Sequence, residues 1–142
     1  MNPGLIIALL ISFPSLTTIA KGAAPFVGTW EAKLNDQPAV ELTIEETSGK
    51  ISGVITFFFQ RRGADGKWHV EGKPSKEPLI APKVEGNFLT FEVLHHKRHG
   101  DPELGPNKKF RMELTGKDEM FFRNVEGQPK EDPTDLKLTR RK

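Results

Sequence analysis

The sequence predicts an all-β fold, an antiparallel up-and-down barrel of about eight strands, with a β-sandwich as the alternative arrangement. Three observations lead there. Several short runs alternate apolar and polar residues with period two. Turn-forming residues separate those runs. Beyond the N-terminal leader, no stretch of useful length carries apolar residues at helical spacing. A strand with one apolar face must bury it against a second sheet or by closing its own sheet. Closure also removes exposed edges, and strands joined by short turns pair antiparallel.

The first twenty residues contain no charge and include Leu5-Ile6-Ile7-Ala8-Leu9-Leu10-Ile11. That run is short for a membrane span and suits the apolar part of a secretory signal peptide. Thr18-Ile19-Ala20 places small residues for cleavage after Ala20 or slightly later, near Ala23-Ala24. Met1-Asn2-Pro3-Gly4 lacks the usual basic start, and a retained membrane anchor is the competing reading of the leader. Residues 1–20 are therefore read as a signal peptide and 21–142 as one secreted or periplasmic β-domain, with no membrane contact once the leader is gone. Cysteine is absent, which excludes a disulfide framework, a thiolate metal site and a cysteine nucleophile. A net charge of +2, with both signs interspersed, argues against a nucleic-acid binder.

Residues 26–34 are the first strand. Phe26, Gly28, Trp30, Ala32 and Leu34 share one face, and Thr29, Glu31 and Lys33 the other. Asn35-Asp36-Gln37-Pro38 is a turn by composition. Val40, Leu42 and Ile44 then alternate with Glu41, Thr43 and Glu45, and Thr47-Ser48-Gly49-Lys50 is a hairpin turn. From Ile51, β-branched and aromatic residues favour strand. Ile51, Gly53, Ile55, Phe57 and Phe59 share its inner face. Phe58 interrupts the polar outer face, either under the following loop or as an exposed contact point.

Residues 62–81 are loop-rich. Trp68-His69-Val70 has the length of a short strand, and the two prolines of residues 72–78 make an irregular connection there, a lid over one mouth of the barrel. After the turn Glu85-Gly86-Asn87, a strand through residue 97 puts Leu89, Phe91, Val93 and His95 on one face. Residues 98–108 form another loop. Phe110, Met112 and Leu114 alternate with Arg111, Glu113 and Thr115, and Met120 and Phe122 with Phe121 and Arg123. Residues 127–133 form a polar loop, and the last strand, 135–141, aligns Leu136, Leu138 and Arg140.

Gly28-Thr29-Trp30 near the start of the domain, together with Arg140 near its end, resembles the Gly-x-Trp signature of lipocalins and other calycin barrels. The resemblance implies that Trp30 closes the base of the barrel with Arg140 packed across it. It also implies that the interior takes a small ligand. The chain departs from lipocalins in its shortness, its lack of cysteine and the absence of a C-terminal helix, and is closer to small secreted bacterial barrels.

On that reading, Phe57, Phe59, Phe91, Met112 and Phe122 line the interior, with His95 as a polar anchor at its mouth. The competing reading is an interior filled by these side chains. His95-His96-Lys97-Arg98-His99 is the most tempting cluster, but adjacent strand residues point to opposite faces, so a metal site requires His95 to meet His99 or His69. No metal and no cofactor is expected. There is no Gly-x-Ser-x-Gly elbow, no phosphate-binding glycine loop and no inward carboxylate pair, so no catalytic residue is assigned. The leading expectation is non-enzymatic binding of a small apolar or amphipathic molecule. The alternatives are a protein-interaction or inhibitor-like module acting through Phe58 and Phe121, and a histidine-dependent enzyme.

Overall fold

The computed structural model describes residues 22–95, 105–124 and 136–142. The predicted signal segment, His96, His99 and the loop expected at 127–133 lie outside the described residues. Among the described residues, a short 3₁₀ turn, Ala24–Phe26, precedes eleven strands. These are β1 (Gly28–Leu34), β2 (Gln37–Thr47), β3 (Lys50–Phe57), β4 (Gln60–Arg62), β5 (Trp68–Val70), β6 (Ser75–Pro78), β7 (Ile80–Glu85), β8 (Phe88–Val93), β9 (Lys108–Gly116), β10 (Glu119–Asn124) and β11 (Leu136–Arg140).

Nine of them form one antiparallel sheet in the order β6-β3-β2-β1-β11-β10-β9-β8-β7, and β4 and β5 form a separate ribbon. The first and last strands of that order, β6 and β7, are consecutive in sequence with only Leu79 between them. Residues 75–85 therefore pair with β3 through their first part and with β8 through their second. This makes a nearly closed barrel. At the seam, Leu79 N–H donates to the Gly53 carbonyl at 3.0 Å. A Cβ on Gly53 would collide with the Thr43 carbonyl oxygen and approach Leu79 Cδ1 to 2.9 Å, so the bare backbone is what lets the closing segment lie this near. Below that point, β3 and β7 part around an open cleft of about 600 Å³ lined by residues such as Ile51, Leu79 and Val84.

The closing segment corrects the expectation of an irregular connection over residues 72–78, since β6 runs from Ser75 to Pro78. Its prolines sit where no ladder donor is needed: Pro78 ends the short β6, and Pro82 falls in the register shift between Ile80 and Lys83, beside Ala81 at φ 47°. Two other boundaries also differ. Residue 26 lies in the 3₁₀ turn rather than in β1, and β8 stops at Val93, short of residue 97. The β1–β2 turn uses Asn35 and Asp36, both at positive φ, a geometry that matches the twist of paired strands.

Antiparallel connectivity sorts the connections by end. The start of β1, the short β2–β3, β7–β8 and β9–β10 turns and the end of β11 lie at one end, the base. The β1–β2 turn, the 58–74 excursion and the β8–β9 and β10–β11 connections lie at the other, the mouth. Inside, Trp30, Leu42, Ile55, Leu89, Met112, Met120 and Leu138 are fully buried, each from a different strand.

Candidate functional site

The base is a plug built from both ends of the domain. Trp30 lies opposite Arg140 in the β1–β11 ladder. Its indole Nε1–H donates to the Phe26 carbonyl at 2.8 Å. The Arg140 guanidinium carbon stands 4.2 Å from the indole ring centroid, a cation–π stack. Arg140 then distributes its donors around the rim. Nε donates to Asp118 Oδ1 at 3.0 Å, Nη2 to the Pro25 and Lys117 carbonyls at 2.8 and 3.1 Å, and Nη1 to the Val27 carbonyl. One side chain thus ties the segment before β1 to the β9–β10 turn. The signature glycine has a physical role here: Gly28 stands at φ 134°, and a Cβ on it would lie 2.8 Å from Arg140 Nη1.

The interior towards the mouth is aromatic. Phe110 is the hub, with ring centroids 4.9 Å from Phe122, 5.9 Å from Phe91 and 6.0 Å from Phe57. Phe91, Met112 and Phe122 are buried and Phe57 is half-buried against them. Phe59 does not join this core. It follows the end of β3, is 38% exposed, and its carbonyl accepts Glu71 N–H at 2.9 Å, because the chain leaves the barrel there to form the β4–β5 ribbon. His95 is half-buried beyond the end of β8, and its carbonyl accepts Gly105 N–H at 2.8 Å.

Two polar residues face the same interior from β6. Glu77 lies directly across from the buried Ile55, and Ser75 across from Phe57, so both share the inner face. Glu77 is only 9% exposed, and Ser75 Oγ donates to its Oε1 at 3.3 Å. Neither residue was expected at the site, because Pro74 and Pro78 hide the strand that carries them. Phe110 was legible as an inward residue from its alternation with Met112.

The mouth is strapped by the ribbon. Gln60 Nε2 lies 2.9 to 3.2 Å from the carbonyls of Leu34, Gln37 and Pro38, and Asn35 Nδ2 donates to Gln60 Oε1. His69 pairs with Asp65 at 3.0 Å on the ribbon. The Lys67 backbone N–H and His69 hold the Asp65 carboxyl below the usual carboxylate range. Among the described residues, no three histidine, aspartate or glutamate side chains converge as a metal site. Phe58 and Phe121 are both half-buried rather than exposed, and Arg123 reaches over the Phe121 ring. Among the described residues, the exposed large apolar side chains are Leu34, Val54, Phe59, Trp68, Val70 and Leu94. All but Val54 lie at the mouth.

No helix among the described residues is long and apolar enough to cross a membrane. Comparison with known proteins finds no matching family model, no similar curated protein and no similar solved structure.

Proposed function

We propose that this protein is a lipocalin-like, non-enzymatic binding protein that takes a small apolar or amphipathic molecule through the mouth of its barrel. The observation that carries this reading is the difference between the two ends. Trp30 and Arg140 plug the base at β1 and β11, away from the open β3–β7 cleft, whereas the mouth combines the Phe57, Phe91, Phe110 and Phe122 cluster with exposed apolar side chains. An apolar lining with a few placed polar groups is the usual make-up of a small-molecule site. Ser75 and Glu77 would supply those groups on the inner wall and orient the polar end of an amphipathic guest. With the leader read as a signal peptide, the protein works outside the cytoplasm.

Native mass spectrometry of the mature protein purified from its own host tests this reading. The expected result is an added mass that disappears on denaturation and is replaced by a neutral apolar probe such as N-phenyl-1-naphthylamine. A clean apo mass, together with no uptake of that probe, would overturn it.

A further inference from the structure

Besides strapping the mouth, the β4–β5 ribbon presents an exposed face of its own. The β4–β5 pairing puts Gln60 and Arg62 on the same face as Val70 and Trp68. Trp68 is 42% and Val70 37% exposed. Gln60 bonds to the Leu34 carbonyl, which brings the 53% exposed Leu34 beside this face. An exposed tryptophan on the same face as Val70, with the exposed Leu34 nearby at the same end of the barrel, is costly to leave in water without a purpose.

Charge identifies the partner. The 58–74 excursion carries Arg61, Arg62, Lys67 and Lys73 against Asp65 and Glu71, so a net charge equal to the +2 of the whole chain is concentrated in this one segment. Arg61 is neutralised by Glu71 at 3.3 Å. Arg62 donates to a backbone carbonyl, that of Gly66, and meets no carboxylate among the described residues. Lys67 and Lys73 likewise have no ion pair among the described residues, and all three are exposed.

Indole prefers the boundary between apolar and aqueous phases, and lysine and arginine beside it favour anionic headgroups. We propose that the β4–β5 ribbon docks the mouth of the barrel onto an anionic lipid surface, with Trp68, Val70 and Leu34 entering the interface and Arg62, Lys67 and Lys73 meeting headgroups. This surface contact contrasts with the expectation from sequence of no membrane association after leader cleavage. It holds whether or not the interior takes a ligand, and it sets the mouth against a source of amphipathic molecules.

The test uses the mature chain with vesicles of phosphatidylcholine alone or with about one third phosphatidylglycerol. Trp30 is buried, so Trp68 reports contact through its fluorescence. The expected result is a blue shift and co-sedimentation with anionic vesicles only, reversed by about 0.5 M salt. Trp68→Ala and the double variant Arg62→Glu/Lys67→Glu are each expected to weaken binding at least about tenfold. Both change exposed ribbon positions, and an unchanged thermal midpoint verifies the barrel. No binding to anionic vesicles, equal binding to neutral ones, or full binding by both variants would overturn the proposal. So would capture of an acidic protein by this face without vesicle binding.

Discussion

At the residue scale, Gly28, Trp30 and Arg140 act as one unit. Trp30 supplies a buried ring, Arg140 covers that ring and satisfies rim carbonyls, and Gly28 leaves room for the guanidinium. Gly28→Ala is expected to cost about 2 kcal/mol or more, because the new residue takes a strained φ and pushes on Arg140. Arg140→Lys is expected to cost about 1–3 kcal/mol, since an ammonium cannot reproduce the planar stack and the spread of donors. Urea denaturation of the two single variants and the double variant checks this. The double loss should be clearly smaller than the sum, because both substitutions break the same contact. This unit was legible in the sequence at both of its ends, through Gly28-Thr29-Trp30 and through Arg140 in phase with Leu136 and Leu138. The carbonyls of Pro25, Val27 and Lys117 were not, because backbone acceptors have no sequence pattern.

At the element scale, strands that alternate cleanly were readable and strands that contain proline were not. Val40, Leu42 and Ile44 announce β2, and Phe110 and Met112 announce β9. The closing pair, β6 and β7, hid behind Pro74, Pro78 and Pro82, and with it went Glu77 and Ser75. Period two also overran the strand ends at Phe59 and His95, where loop geometry takes over from the ladder. On the outer face, side chains clamp neighbouring strands together. Glu119 on β10 pairs with Lys137 on β11 at 2.8 Å and accepts from Thr115 Oγ1 at 3.1 Å. Lys137 and then Thr115 hold the Glu119 carboxyl below its ordinary value of 4.5. A lowered carboxylate contributes stability that is present above the unfolded value and is lost as pH falls through the folded one. The urea midpoint should therefore fall on acidification from about pH 6 to about pH 3. Glu119→Gln should lower the midpoint at the upper pH and shrink the fall; an identical fall in both proteins would remove Glu119 from the account.

At the scale of the whole molecule, a sheet of nine strands bends until its two ends are one continuous segment, Ser75 to Glu85. All-β closure was legible from the number of one-sided strands, while the route of closure depended on a bulge at Pro82 that pattern alone does not reveal. The result is a barrel with unlike ends: a charged, hydrogen-bonded base and an aromatic, strapped mouth. The most direct test of that account is residue-resolved NMR of the mature protein titrated with a neutral apolar probe. The account predicts shifts concentrated on the rings of Phe57, Phe91, Phe110 and Phe122, with the Trp30 indole N–H unmoved. Shifts confined to outer-face residues, or a Trp30 indole that moves before the phenylalanines, would contradict it.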